Sequence, residues 1–246
     1  MSLKSTQWRF WVVSLATLLT VALTTSLTVW QLSRAAQKEA LAQQRAEREG
    51  LPALGWADLQ ELNADTRAGR VNRMIELQGQ WMHEATVYLD NRPLKGRAGF
   101  LVLTPLLADD GATAVLVVRG WVPRRLDDRT ALPVLDEVRE QVWVRGRLAP
   151  PPSKLYDFGQ PGQGLIRQNI DLDAFGAEWS IRLGPVTVQQ LDSDAADAGL
   201  SRDWPQPDSD VHKHYGYAFQ WFSLTVLLLI LYVWFQFIAP RKRRID

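Results

Sequence analysis

Cysteine is absent from this chain of 246 residues. Its absence excludes disulfides, thiol catalysis, cysteine-ligated zinc and iron–sulfur clusters. Histidine and methionine are scarce, with three residues of each type. The three histidines are His83, His212 and His214. Chemistry that needs an imidazole or a soft metal ligand therefore has few possible locations in this sequence.

An excess of charge of either sign is also missing, since 28 Lys and Arg residues face 27 Asp and Glu residues. Such a balance gives no reason to expect nucleic acid or another polyanion as a partner. The sequence has no Gly-x-Ser-x-Gly, no phosphate-binding glycine loop and no His-Glu-x-x-His, because His83-Glu84 lacks the second histidine. These absences argue against ordinary hydrolase chemistry.

Two long uncharged runs, residues 10–33 and 215–239, are the dominant feature of the sequence. Each exceeds the roughly 20 residues that a helix needs to cross the hydrocarbon core of a bilayer. The first run is also longer than the apolar core of a cleaved signal peptide, which has about 7–15 residues. The sequence thus predicts two retained transmembrane helices.

The charges around these runs predict their orientation. The Arg241–Arg244 cluster follows the second run, and cations concentrate on the cytoplasmic side of membrane proteins. Two spans place both termini on one side, so the segment between them is extracytoplasmic. We predict residues 1–9 and the basic tail 240–246 to be cytoplasmic and residues 34–210 to be periplasmic, in a bacterial inner membrane.

The segment between the two spans predicts a β-rich domain. Residues 34–50 are strong helix formers that continue the first span, and 56–67 is typical of a short amphipathic helix. Asp109-Asp110-Gly111 predicts a hairpin turn, and Asp171 is the predicted N-cap of a helix at 171–178. Residues 159–164 are predicted to form a loop, and residues 192–210 an exposed linker. Strands are predicted at Val71–Gly79, Thr86–Asp90, Gly99–Pro105, Ala114–Val118, Gln141–Leu148 and Gly184–Leu191. The predicted fold class is an α+β membrane protein with two transmembrane helices flanking a mostly antiparallel domain.

The first span carries small polar residues at helical spacing: Thr17, Thr20, Thr24 and Thr28. Such a stripe lets membrane helices pack closely and form hydrogen bonds across the contact. Threonine is also tolerated at unpaired positions of an apolar helix, so the stripe alone leaves both interpretations open.

The most distinctive helical pattern is at the start of the second span, where His214, Tyr217, Ala218 and Trp221 fall at i, i+3, i+4 and i+7. An imidazole among flat aromatic rings and one small residue is suited to axial ligation of haem iron. An interfacial histidine in an aromatic belt gives the same pattern.

Arg34 and Gln31 lie at the outer end of the first span, where the two spans could bring an arginine close to His214. A guanidinium matches the carboxylate geometry of haem propionates. Simple snorkelling of Arg34 at the interface is the alternative.

His212 and His214 also form a His-x-His pair, a pattern found in copper and zinc sites. On a helix the two side chains would point apart, whereas on an extended segment they would share a face. With no cysteine and three methionines, an extracytoplasmic copper-handling site is a weaker alternative.

Several segments together resemble the surfeit locus protein 1 family, which comprises assembly factors for haem–copper cytochrome c oxidase. The order and spacing agree over nearly the whole chain. The matching segments are Trp30-Gln31-Leu32-x-Arg34, Gly79 through Asn91-Arg92 to Gly96-x-x-Gly99-Phe100, Thr104-Pro105-Leu106, Arg119-Gly120-Trp121-Val122-Pro123 and Lys213-His214-x-Gly216-Tyr217-Ala218-x-Gln220-Trp221-Phe222.

The resemblance implies a non-enzymatic factor that binds haem a and aids its delivery to the catalytic subunit of the oxidase, in contact with the machinery of haem a synthesis. It implies that His214 is the iron ligand. With this ligand, the helical spacing and the position of the first span lead us to expect Tyr217, Trp221 and Arg34 around the cofactor. An interaction scaffold without a haem role is the alternative. For Trp121 and Pro123 we expect a structural role, and that of Arg119 stays open.

Overall fold

The computed structural model describes residues 3–242 apart from residues 64, 126, 128–131, 134, 136–139, 157–163, 193–198 and 205–209. Most of the predicted loop at 159–164 and of the predicted linker at 192–210 lies outside the described residues, as do Arg243 and Arg244 of the basic tail. The chain divides into two compact units, residues 1–44 with 205–246 and residues 45–204.

The first unit contains two long helices. Helix α1 spans Leu3–Glu49 without interruption, because no glycine or proline occurs in this stretch. Helix α5 spans Val211–Val233 and continues through a π-helical turn, Trp234–Ile238, into α6, Ala239–Lys242. Both are long and apolar enough to cross a membrane, over Gln7–Glu49 and Val211–Ile238, by length and composition. The predicted helical continuation through residues 34–50 is confirmed.

The second unit is built on a closed barrel of five strands, ordered β1-β5-β7-β4-β3 and closed by pairing of β3 with β1. Two further strands extend the sheet from β3, first β2 and then β6. The strands are β1 Met74–Trp81, β2 Val87–Leu89, β3 Gly99–Leu107, β4 Thr113–Pro123, β5 Val142–Ala149, β6 Ile166–Arg167 and β7 Arg182–Gln190.

The prediction of a mostly antiparallel domain is confirmed in part, because the sheet is mixed. Strand β4 runs parallel to β7, and β2 runs parallel to β6, while the other pairings in the described residues are antiparallel. The chain between β5 and β7 contains helix α4, Leu172–Trp179. The parallel strands β4 and β7 are thus joined by a long connection that includes β5, β6 and α4, as parallel pairing requires.

Every second side chain of the strands points inward, and these apolar side chains fill the barrel. In β1, the inward residues Ile75, Leu77 and Trp81 are buried, and the glutamate and glutamines between them are exposed. The inner core also draws on β3, β4, β5 and β7 through residues such as Leu106, Val117, Leu148 and Val188. The alternation of apolar and polar residues that predicted the strands therefore corresponds to their inward and outward faces.

A second core lies on the outer side of the sheet. Phe175 of α4 packs there with strand residues such as Leu103 and Leu116, and with Trp204. The Asp171 carboxylate accepts a hydrogen bond from the Ala174 amide at 3.2 Å, so the predicted helix cap is confirmed. Trp204 is 7% exposed. The prediction of an exposed linker is therefore wrong near Trp204, because this indole is large enough to complete the outer core.

The predicted helix at 56–67 is also wrong in extent. Two shorter helices occur instead, α2 at Trp56–Gln60 and α3 at Arg67–Arg70. The Asn63 side chain accepts hydrogen bonds from the backbone amides of Asp65 and Thr66, each at 3.0 Å. Such an Asx turn offers the backbone an alternative to helix and stops it there.

The Arg-Gly-Trp-Val-Pro segment extends β4 beyond its predicted end. Trp121 is 5% exposed, and its indole N–H donates to the Arg92 carbonyl at 2.6 Å. Because Gly120 has no side chain, Leu200 can approach strand β4 closely, next to the isolated β-bridge between Trp121 and Ser201. The expected structural role of Trp121 is confirmed. Arg119 is 1% exposed, with its guanidinium 4.7 Å from the Trp81 ring centre, which indicates a structural role as well.

The last turn of α1 is attached to the barrel by ion pairs. Glu49 accepts from the guanidinium of Arg147 on β5 at 2.7 Å and from Arg45 at 2.9 Å. Arg147 is buried and also donates to Gln189 on β7 at 2.7 Å. Since a buried charge is stable only when it is paired, Glu49 and Arg147 hold each other in place.

Replacing Gly99 with alanine should lower the free energy of unfolding by about 1–3 kcal/mol, as overpacking in a core does. A Cβ at Gly99 would overlap the Val122 carbonyl and the Trp121 indole. Gly184 is the matched control, because a Cβ there meets open space, and its alanine variant should stay within about 0.5 kcal/mol of wild type. Denaturant unfolding of the full-length protein, followed by tryptophan fluorescence, measures both. Equal effects would contradict the packing described.

Candidate functional site

The helix pair packs along a regular seam. On α5 the buried and half-buried positions recur at alternating spacings of three and four residues, and the same holds for α1. This repeat is the contact pattern of two helices that pack with side chains interdigitated. The seam positions are 14, 17, 21, 24, 28, 31, 35, 38 and 42 on α1, and 211, 214, 218, 221, 225, 228 and 232 on α5.

Hydrogen bonds between side chains cross this seam at several levels. Residue numbers rise along α1 while they fall along α5, so the two helices are antiparallel. The bonds join Ser14 to Tyr232 at 2.7 Å, Thr24 to Thr225 at 2.7 Å, Gln31 to His214 at 2.7 Å and Glu39 to Tyr215 at 3.0 Å.

The predicted threonine stripe is confirmed at three of its four positions. Thr17 and Thr28 are half-buried in the seam, and Thr24 is 2% exposed. Thr20 is exposed, and its hydroxyl donates to the Ala16 carbonyl of its own helix. Thr20 departs from the stripe because the seam follows the three-four repeat and passes through Val21 instead.

His214 lies half-buried in the seam, and its partner on α1 is Gln31. The Gln31 Oε1 atom lies 2.7 Å from His214 Nδ1, and Gln31 is 9% exposed. With the carboxamide oxygen placed towards the ring, Nδ1 is the donor of this hydrogen bond and carries the hydrogen. In the neutral imidazole, Nε2 then holds the free lone pair. This histidine is therefore held by one nitrogen and is able to ligate a metal through the other.

Small residues flank this contact. Ala35 follows Gln31 in the seam of α1 and is fully buried, and Ala218 follows His214 on α5 and is 3% exposed. Alanine at both positions allows the helix backbones to approach closely. The seam beside His214 is therefore filled by the two helices themselves, and a planar cofactor would have to lie against a flank of the pair.

The predicted aromatic neighbours of His214 are divided between seam and flank. Trp221 lies half-buried in the seam, two seam positions beyond His214, and its carbonyl accepts from Thr225 at 3.0 Å. Tyr217 is 52% exposed and lies outside the seam. The prediction of one shared face therefore holds for His214, Ala218 and Trp221, with Tyr217 on the side of it.

Arg34 lies at the end of the first span that the sequence predicted, but the hydrogen-bond partner of His214 is Gln31. The Arg34 side chain is exposed and donates to Gln37 of its own helix at 3.1 Å. Gln31, one helical turn earlier, has the position facing His214. Sequence reasoning placed Gln31 at the correct end of the span but favoured the arginine, since a charge is the more obvious ligand-binding group.

Arg34 and Tyr217 nevertheless share one flank of the helix pair. Arg34 follows Gln31 by three positions, and Tyr217 follows His214 by three. Three residues turn by about 300° around the helix axis, so each side chain lies about 60° to one side of its seam residue. Because the helices are antiparallel, the same rotation on both leads to the same side. Tyr215 and Glu39 each follow a seam residue by one position, and their hydrogen bond lies on the opposite flank.

The histidine pair is not arranged as a chelate. Both His212 and His214 belong to α5, two residues apart, and His212 is exposed while His214 is in the seam. Within the described residues, no group of three or more potential ligands of the types His, Cys, Asp and Glu is close enough to hold a metal ion. The helical conformation therefore argues against copper held jointly by these two histidines.

Charges outside the apolar segments are paired at the start of α5. Asp210, the residue before the helix, forms an ion pair with Lys213 at 2.6 Å. The hydrogen bond from Lys213, with the charge of the same lysine, lowers the pKa of Asp210. The charge of His214 contributes to the same lowering of this pKa, so Asp210 lies within electrostatic reach of the imidazole, while its hydrogen-bonded ion pair is with Lys213.

The second unit contains a cavity of about 560 Å³ between α2 and the first residues of β4 and β7. Its walls combine apolar residues such as Trp56 and Val186 with polar ones such as Gln60 and Thr113. At its rim Arg182 pairs with Asp110 at 3.1 Å. The described walls offer no histidine.

Comparison with known protein families matches residues 18–226 to the SURF1 family. The match covers both units, including Gln31, Arg34 and His214. The chain belongs to the SURF1 family. It is also similar to a SURF1-like protein of Rickettsia felis (strain ATCC VR-1525 / URRWXCal2), with 23% identity over 249 residues, which cover 89% of this chain and 95% of that protein.

The family resemblance seen in the motifs is thereby confirmed. The SURF1 family is one of membrane proteins linked to cytochrome oxidase assembly, and this chain is a member through most of its length. Membership leaves the cofactor, the residues that bind it and the orientation in the membrane as questions for the geometry of the site.

The buried hydroxyl pair of Thr24 and Thr225 should contribute coupling energy to the helix pair. In a double-mutant cycle of Thr24→Val and Thr225→Val, we expect a coupling of about 0.6 kcal/mol, the typical value for an interhelical hydrogen bond in a membrane protein. Reversible unfolding in detergent measures it. Thr25 is exposed, so Thr25→Val combined with Thr225→Val should show no coupling, and equal coupling in both cycles would contradict the seam.

Proposed function

We propose that this SURF1-family protein is a membrane assembly factor for haem–copper cytochrome c oxidase that binds haem a at His214 and aids its delivery to the catalytic subunit. The observation that carries the proposal is the state of His214. Its Nδ1 is engaged by Gln31 at the outer end of a helix pair, and its Nε2 keeps the lone pair that haem iron would accept.

The donor set of the chain agrees with this role. Cysteine is absent, and the three methionines are Met1, Met74 and Met82, none of which lies on α5. Helix α5 thus offers neither thiolate nor thioether, and imidazole is the usual proximal ligand of haem proteins. In this proposal His214 is the metal ligand, and the bound haem supplies the redox-active iron that the oxidase requires.

The flank that carries Arg34 and Tyr217 supplies the other expected contacts. Tyr217 is 52% exposed and offers a flat ring to a macrocycle. Arg34 lies on the same side, near the outer end of the span, with an exposed guanidinium that suits propionate carboxylates. Trp221 lies half-buried in the seam, one helical turn beyond Tyr217 on the same helix. These residues are proposed to bind haem a together with His214.

The charge pattern supports the orientation proposed for the protein. With α1 and α5 spanning a bacterial inner membrane, the basic tail lies in the cytoplasm and the barrel in the periplasm. His214 and Gln31 are then at the periplasmic interface. In this position they could receive haem a from the machinery that synthesises it within the membrane, and present it to the oxidase subunit during assembly.

One feature favours a scaffold function as a second candidate. Trp143 on β5 is 68% exposed on the outside of the barrel, beside polar residues of β1. A solvent-exposed tryptophan is a common anchor of protein–protein interfaces. If the barrel alone serves oxidase assembly, Trp143→Ala should impair assembly while His214→Ala leaves it intact.

His214→Ala should lower the haem retained by the purified protein by about tenfold or more, because loss of the ligand itself must exceed the 10–100-fold cost of disturbing its supporting residues. The measurement is the absorption spectrum of protein purified from cells that make haem a. His212→Ala is the matched control, since His212 is exposed on the same helix, and it should retain haem. Equal haem content in the two variants would contradict the proposal.

Arg34→Gln should weaken haem binding by roughly tenfold, because a hydrogen bond to a charged group contributes about 1.5–3 kcal/mol. Titration of haem into the detergent-solubilised protein measures the affinity. Glu39→Gln changes a charge on the opposite flank at the same end of the helix pair and should leave the affinity unchanged. If Glu39→Gln weakens binding as much as Arg34→Gln, the cofactor does not lie on the flank of Tyr217.

A further inference from the structure

We propose that Gln31 is a positioning residue that fixes the tautomer of His214, so that Nε2 is always the nitrogen presented for ligation. The inference deepens the proposed function, since its purpose rests on haem binding at His214. Its physical content, the protonation of Nδ1, is a property of the protein without cofactor and can be measured on its own.

The geometry of the contact carries this assignment. The Gln31 Oε1 atom lies 2.7 Å from Nδ1, and both residues are at facing seam positions of antiparallel helices. Gln31 is 9% exposed, so water competes little for its carboxamide. The hydrogen-bonded levels on either side, Thr24–Thr225 and Glu39–Tyr215, hold the two helices in the register that keeps Gln31 opposite His214.

The alternative tautomer is disfavoured by this contact. With the hydrogen on Nε2, the lone pair of Nδ1 would face the carboxamide oxygen, and the carboxamide would have to turn over and offer its NH2 group instead. The structure places the oxygen towards Nδ1 at 2.7 Å, an arrangement that requires a hydrogen on Nδ1. We expect the Nδ1-protonated form to be the major one.

The chemical nature of Gln31 also matters. A carboxylate at this position would make the imidazole a stronger donor, as in carboxylate–histidine–metal triads. It would also place a charge beside apolar helices, which is costly in a membrane. A neutral carboxamide orients the ring without that charge and without strengthening the bond to iron. This combination suits a protein that must release its cofactor to a second protein.

The direct test is the nitrogen-15 spectrum of the histidine rings in full-length, haem-free protein in detergent. His214→Ala identifies the His214 signals by their loss. In wild type we expect one protonated and one unprotonated ring nitrogen, with Nδ1 the protonated one. In Gln31→Leu the two signals should move towards each other as the tautomers mix, whereas Thr24→Val, which removes a different seam hydrogen bond, should leave them unchanged.

The consequence for the cofactor is measured by haem titration of the same variants. Gln31→Leu should weaken binding by roughly 10–100-fold. Gln31→Glu keeps an acceptor at the same length, so it should restore binding and lower the reduction potential of the haem.

The two proposals fail in different ways. Unchanged ring signals in Gln31→Leu would overturn the role of Gln31, even if haem binding still depended on His214. Haem binding that is unaffected by His214→Ala would overturn the proposed function instead, and the tautomer measurement would stand. Weak binding in Gln31→Glu together with Gln31→Leu would show a packing role for Gln31 and contradict the inference.

Discussion

A polar side chain buried between two apolar helices needs a hydrogen-bond partner, and the first unit depends on several pairs of such side chains that bond across the two helices. Thr24 and Thr225 satisfy each other near the middle of the pair, and Ser14 reaches Tyr232 towards one end. A shift of either helix by one turn would separate both pairs. The same register places the Gln31 carboxamide against His214, so the candidate site follows from the packing of the pair.

The second unit obeys a different constraint, the closure of a mixed sheet around an apolar core. Closure removes free strand edges from the barrel, and the buried Arg147 fixes the last turn of α1 through Glu49. The exposed Trp143 and the cavity beside Trp56 are features that a binding domain would use. In our proposal the helix pair carries the cofactor, while the barrel contributes contacts with other proteins.

Structural features that depend on a local pattern of residues were predicted from the sequence. Period-two alternation located most strands, the Asp109–Gly111 signal located the β3–β4 hairpin, and helical spacing brought His214 and Trp221 to one face. Features that depend on partners distant in the chain were missed. Strand β6 has two residues and no pattern, and the burial of Trp204 depends on a core built by other elements. Gln31 could have been found by extending the threonine stripe in steps of three and four.

The central claim is that His214 is a ligand of haem iron. Electron–nuclear double resonance on the oxidised protein, purified from cells that make haem a and labelled with nitrogen-15 in histidine only, tests it most directly. We predict a strong coupling between the iron spin and a labelled histidine nitrogen that disappears in His214→Ala and persists in His212→Ala. A haem-loaded protein without any histidine coupling would contradict the account.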